Sequence, residues 1–129
     1  YDTRRLGRWA SQMYLGKNNI HTRFVTVYVP QITSLHGYKK VFCQQQRALL
    51  LQNITISPLK MFWEDFWAQV DTWLEQGDQI IIAGDWNTNI TDTKFLQPFL
   101  KRHLIPAISS KHGPQLPPTN ICYTTPQNQ

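Results

Sequence analysis

Cysteine is scarce in these 129 residues: Cys43 and Cys122, far apart, are the whole complement. They have neither metal-ligand spacing nor the density of a disulfide framework, and no His signature stands near either, which disfavours cysteine catalysis. A reducing compartment is the default. Long apolar runs are also missing, so no segment approaches a membrane span, and nothing at the start reads as a signal peptide. There are no internal repeats and no linker that would divide the chain, so 1–129 reads as a single domain. His21, His36, His103 and His112 have no partner at metal or triad spacing and read as surface or satisfied residues.

Acid is the other shortage. Eight Asp and Glu stand against 13 Lys and Arg, for a formal net charge of +5 and a pI of about 9.4. Asp2 is the sole acid before Glu64, while Arg4, Arg5, Arg8, Lys17 and Arg23 crowd the first third. An ordinary solvated basic surface accounts for this first. A polyanionic partner such as nucleic acid is compatible with it. Aromatics are not lacking: at 12%, with 16% charged residues, they exclude a disordered chain and are enough for a real core. Asn53-Ile54-Thr55 and Asn89-Ile90-Thr91 match the glycosylation sequon, a pattern that arises often by chance.

Taken in order, residues 9–15 predict a strand, with Trp9, Ser11, Met13 and Leu15 on one face. Gly16-Lys17-Asn18-Asn19 is a turn signal. Residues 23–29 predict a second, antiparallel strand rich in β-branched and aromatic side chains. Pro30 stops it, since proline cannot donate to the ladder. Residues 31–40 are then a polar loop holding His36, Gly37, Lys39 and Lys40. Residues 41–53 predict a helix. Ser57-Pro58 opens another, a capping residue followed by proline at the first helical position. Phe62, Trp63, Phe66, Trp67, Val70, Trp73 and Leu74 form its apolar stripe, and Gly77 ends it. Three Trp on one stripe suit a base-stacking platform. A core role is the stronger reading. Residues 93–103 predict a short helix, 104–108 and 119–123 short strands, and 109–118 a loop. This order argues a layered arrangement of helices on sheet.

Ile80 to Ala83 is a continuous apolar run, the pattern of a strand buried on both faces. Gly84-Asp85-Trp86-Asn87 follows. With extended backbone, Asp85 and Asn87 share one face and Trp86 takes the other. A carboxylate beside a carboxamide pairs a proton acceptor with a neutral donor, suited to handling a water and a phosphate oxygen together. Taken alone, the motif reads as an Asx turn leaving a strand.

Tyr28-Val29-Pro30 at one strand end and Gly84-Asp85-Trp86-Asn87 at a later one, with helices between, resemble the endonuclease/exonuclease/phosphatase superfamily. Pro118-Thr119 is similar to that family's segment before its next strand. The opening from Asp2 to Trp9 and the Gln-rich helix from Gln44 look most like the endonuclease domains of LINE-like retrotransposons. The resemblance implies an α/β (α+β) fold, a partial four-layer α/β/β/α sandwich of the DNase I-like type lacking its N- and C-terminal strands. It implies metal-dependent hydrolysis of phosphodiesters in nucleic acid, DNA foremost, with Mg²⁺ or Mn²⁺. Asp85 would orient or deprotonate the water, or protonate the leaving group. Asn87 would donate to the phosphoryl oxygen as charge builds. Tyr28 would hydrogen-bond the phosphate. The family's metal-binding Glu would precede Tyr1, and its terminal Asp-His pair would follow Gln129, so an incomplete domain is expected. If the chain is retroelement-derived, a nuclear location is implied. A phosphatase acting on a small phosphorylated molecule, and a non-catalytic nucleic-acid-binding or assembly remnant, are the alternatives.

Overall fold

The computed structural model describes residues 1–32, 40–107 and the backbone of 120–124. His36, Gly37, Lys39, His112 and Pro118-Thr119 lie outside the described residues, as does the Cys122 side chain. The described part is mixed α/β, a five-stranded sheet with three helices. The strands are β1 (Trp9–Leu15), β2 (His21–Tyr28), β3 (Gln79–Asp85), β4 (Ile105–Pro106) and β5 (Asn120–Thr124). The helices are α1 (Val41–Leu51), α2 (Pro58–Glu75) and α3 (Thr93–Lys101). Spatial order is β1-β2-β3-β5-β4. β1 and β2 form the expected antiparallel hairpin, closed by a short 3-10 turn in which Asn18 and Asn19 take positive φ. β2 and β3 are parallel, and α1 and α2 supply the long crossover that parallel neighbours need.

Helix boundaries follow from caps. The Ser57 Oγ accepts from the Lys60 N–H at 3.3 Å with Pro58 next in line, so α2 starts where the sequence predicts. Gly77, at φ 82°, turns the chain out of α2. The Asp78 N–H then donates to the Trp73 carbonyl and the Gly77 N–H to that of Leu74, which closes the end as a Schellman motif. Asp92 caps α3, its Oδ1 accepting from the Lys94 N–H at 2.9 Å.

Val25, Val27, Ile80 and Ile82 share one sheet face by register. They are buried against Phe62, Phe66, Val70 and Trp73 of α2 and Phe99 of α3. Each such aromatic side chain stabilises by about 1.5–3 kcal/mol when withdrawn from water. The opposite face is uncovered among the described residues: Tyr14 is 57% exposed, Phe24 44% and Tyr28 39%. The expectation that Ile80 to Ala83 is buried on both faces is therefore corrected. Ile80 and Ile82 face the helices, Ile81 is half-buried and Ala83 exposed, because both α2 and α3 lie on one side.

The first eight residues are not a loose basic arm. Arg8 is fully buried and Asp2 nearly so. The Arg8 Nη2 donates to Asp2 Oδ1 at 2.6 Å and to Asp65 Oδ2 of α2 at 2.9 Å, and the guanidinium lies 4.5 Å from the Trp9 ring centroid. Asp2 also accepts from the backbone N–H groups of Arg4, Leu6 and Arg8. Burial alone pushes the Asp2 carboxyl up. The Arg8 guanidinium and the backbone N–H groups of Arg4 and Arg8 outweigh it and hold the group below the usual carboxylate range. Of the cations at the start of the chain, Arg8 is internal and Arg4 and Arg23 are half-buried in ion pairs with Asp65 and Asp78, while Arg5 and Lys17 are exposed.

Candidate active site

The residues singled out from the sequence converge at the C-terminal ends of the parallel strands β2 and β3. Tyr28 and Asp85 are direct register partners, each the last residue of its strand. Partners in register lie on the same face, here the uncovered one. Backbone bonds hold both ends. The Tyr28 N–H donates to the Arg8 carbonyl at 2.9 Å, and the Val29 N–H to the Asp85 carbonyl at 2.9 Å. The Arg8 clip thus fixes the strand end that carries the phenol.

Close approach of β2 and β3 at this point depends on Gly84. A Cβ there would stand 2.0 Å from the Val27 carbonyl oxygen and 2.6 Å from its Cγ2. No side chain larger than hydrogen fits without parting the strands.

Asn87 reaches the same edge by another route than pleat alternation. The strand ends at Asp85, and Asn87 adopts φ 47°, a left-handed conformation that Asn tolerates better than most residues. Its N–H donates to the Asp85 Oδ1 at 3.1 Å, closing the Asx turn. Its Nδ2 donates to the Val29 carbonyl at 2.7 Å. The expectation of extended backbone through Asn87 is corrected, because the carboxylate of Asp85 captures the N–H two residues on. The carbonyl partner fixes which end of the amide is nitrogen, and a carboxamide has two N–H donors, so one remains for a ligand. Trp86 does turn away, fully buried. Among the described residues the Tyr28 hydroxyl takes no hydrogen bond.

The edge offers one carboxylate. Among the described residues no group of three or more His, Cys, Asp or Glu gathers as a metal site. Mg²⁺ takes six oxygen ligands, usually one or two carboxylates with waters and phosphate oxygens. Asp85 could supply one ligand, and the residues present fall short of holding the ion unaided. His21 lies away from this edge, its Nδ1 3.8 Å from Asp78 Oδ1. No described helix is long and apolar enough to cross a membrane.

A cleft that the sequence reading missed lies behind the edge, on the helix side. Its volume is about 590 Å³, within the range of small-ligand sites. Val29, Trp86 and Asn87 border it from the strand ends, and Trp63, Trp67 and Phe95 from the helices. Phe62, Phe66, Val70 and Trp73 are the core that the α2 stripe predicts, whereas Trp63, Trp67 and Leu74 are half-buried at its flanks. The signal was the width of the stripe: seven apolar residues cover more of the helix than a sheet face needs.

No protein-family model matches the chain, and no curated protein matches it. Among solved structures it is similar to the crystal structure of beta toxin 275-280 from Staphylococcus aureus, at 10% identity and a TM-score of 0.43, over 92% of this chain and 42% of that one. The chain thus spans less than half the length of that protein.

Proposed function

We propose that this chain is the central part of an endonuclease/exonuclease/phosphatase-type domain that hydrolyses phosphodiesters in nucleic acid. One observation carries the reading. Tyr28 and Asp85 are register partners on an uncovered face, and Asn87 is bonded to both strand ends. Three groups able to handle one phosphate are thereby held on rigid strand ends, as catalysis requires.

In this reading the Asp85 carboxylate accepts a proton from, or aligns, the attacking water; as the water oxygen bonds to phosphorus, the P–O bond to the leaving sugar oxygen breaks, and that oxygen takes up a proton from the protonated Asp85 or from solvent. The Asp85 Oδ1 is already fixed by the Asn87 N–H, so the carboxylate keeps its orientation before substrate arrives. The remaining N–H of the Asn87 amide donates to the phosphoryl oxygen as negative charge develops. The Tyr28 hydroxyl donates to a second phosphate oxygen from the neighbouring strand. The Mg²⁺ or Mn²⁺ that the resemblance implies would neutralise charge on the phosphate, with further ligands from outside the described residues. The uncovered face, with Tyr14 and Phe24 on it, suits the packing of the second sheet of a four-layer sandwich.

The test is nicking of supercoiled plasmid with Mg²⁺ by a polypeptide that joins this chain to the flanking strands the resemblance implies. Nicking that Asp85→Ala and Asn87→Ala each lower by about 10²–10³-fold, with folding intact, supports the reading. A folded, inactive polypeptide points to the non-catalytic remnant, and release of phosphate from small phosphomonoesters without nicking points to the phosphatase.

A further inference from the structure

Tyr28 and Asp85 end neighbouring strands, but they are not equally supported. Asp85 is paired on both sides, with Tyr28 of β2 and with Asn120 of β5. On the outer side of β2 the pairing with β1 stops at Trp9 and Val27. Tyr28 has only Arg8 there, and the rung is one-sided. The Tyr28 N–H donates to the Arg8 carbonyl at 2.9 Å, while the Arg8 N–H turns away from β2, to Asp2 Oδ2 at 3.3 Å.

The Arg8 side chain is anchored in another element. Fully buried, its guanidinium donates to the Met61 carbonyl at 3.4 Å and to Asp65 Oδ2 at 2.9 Å, both on α2. Its Nε and Nη2 hold the two oxygens of Asp2 at 2.9 and 2.6 Å. Arg4 grips Asp65 from the other side. The Leu6 carbonyl accepts from Gln45 Nε2 of α1 at 3.3 Å. The crossover that joins β2 to β3 therefore also holds the segment on which the end of β2 hangs. Burying such an ion cluster adds little stability over an apolar replacement, because desolvation offsets the attraction. What the guanidinium fork supplies is direction, since every nitrogen meets an acceptor at a fixed angle.

We infer that Arg8 is a positioning residue for the proposed hydrolysis, setting the Tyr28 phenol against the phosphate by anchoring the end of β2 to α2 through Asp65. The inference rests on the nuclease reading. α2 packs on the covered side of the sheet and the phenol stands on the other, so the anchor acts through the backbone of Tyr28 and leaves the phosphate to the phenol. A strand end freed to shift by a fraction of an ångström would lose the bond that Tyr28 makes as the phosphate reacts.

Arg8→Ala would leave the buried Asp2 carboxylate without its counter-charge and unfold the chain, so the test uses Asp65→Asn, which keeps the shape of a half-buried side chain. In the chain itself, amide exchange should quicken at Tyr28 and stay unchanged at Ile82. In the polypeptide joined to the flanking strands, kcat for plasmid nicking should fall about tenfold with KM unchanged, and Asp65→Glu should restore part of the loss. The decisive arm is Tyr28→Phe. If the anchor works through the phenol, Asp65→Asn should cost almost nothing further once the hydroxyl is gone. An undiminished tenfold loss in the Tyr28→Phe background overturns the inference and leaves Asp65 a merely structural residue. So does a change in KM alone, or an unaltered Tyr28 amide. Nicking indifferent to Asp65→Asn removes the positioning role alone. A folded wild-type polypeptide that never nicks removes the nuclease reading, and the positioning role falls with it.

Discussion

The two faces of the sheet differ as if drawn from different proteins. On the face under α2 and α3, Val25, Ile80 and Ile82 are buried among aromatic rings. On the other, their immediate neighbours Phe24, Ile81 and Ala83 are half-buried or exposed. Alternation along β2 and β3 assigns every second residue to stability and leaves the rest uncommitted. Tyr28 and Asp85 fall in the uncommitted set. The covered face supplies rigidity, and the uncovered face presents the groups that can act.

The largest expected effect tests that asymmetry. Phe66→Ala on the covered side should cost about 3–5 kcal/mol in urea unfolding, whereas Phe24→Ala on the open side should cost less than about 1 kcal/mol. Joined to the flanking strands of the proposed four-layer domain, the chain should lose this contrast, with Phe24→Ala rising toward the covered-face value. Persistence of a small Phe24 effect there would argue against a second sheet.

Gly84→Ala comes next. The added methyl meets the backbone of Val27 rather than a flexible tip, so relief requires β2 and β3 to separate. A loss of about 1–3 kcal/mol is expected, with amide-exchange protection falling first at Val27 and Asp85. Unchanged protection would mean that the two strand ends are not coupled as described.

Asn87→Ala removes the bond to the Val29 carbonyl and places Ala at positive φ. It should destabilise by about 1 kcal/mol, while Asn87→Gly, which relaxes the backbone, costs less. Equal costs would assign the whole effect to the hydrogen bond.

The smallest effect concerns pH. Because Asp2 is held below its ordinary range when folded, its stabilising contribution is fully present above about pH 4. It is lost as pH falls through the lower folded value, since the unfolded chain then binds more protons. Asp2→Asn should flatten the acid limb of stability against pH. An unchanged limb would show that the Arg8 clip relies on Asp65 alone.

Much of this was legible in the sequence because the relevant signals are local. Ser57-Pro58 and Gly77 mark α2 to the residue, and residues 9–15 are β1 as predicted. β2 begins two residues earlier than the β-branched run suggests and ends at Tyr28 rather than Val29, since pairing continues through His21 and Thr22 whatever their hydropathy. The juxtaposition of Tyr28 with Asp85 was an implication of the resemblance that the two strand-end motifs carry. The turn at Asn87 was less visible, because extended and Asx-turn backbones fit the same four residues. The buried Asp2–Arg8–Asp65 clip was not legible, for its partners are brought together by folding and look like surface charge in one dimension. The cleft was hidden by the same aromatic stripe that disclosed the core.

Plasmid nicking by the joined polypeptide carrying Asp85→Asn tests the central claim most directly, because this change keeps the shape of the side chain and removes its charge. The account predicts that nicking falls at least about 10²-fold while the unfolding midpoint barely moves. Nicking at the wild-type rate by a folded Asp85→Asn protein would contradict it.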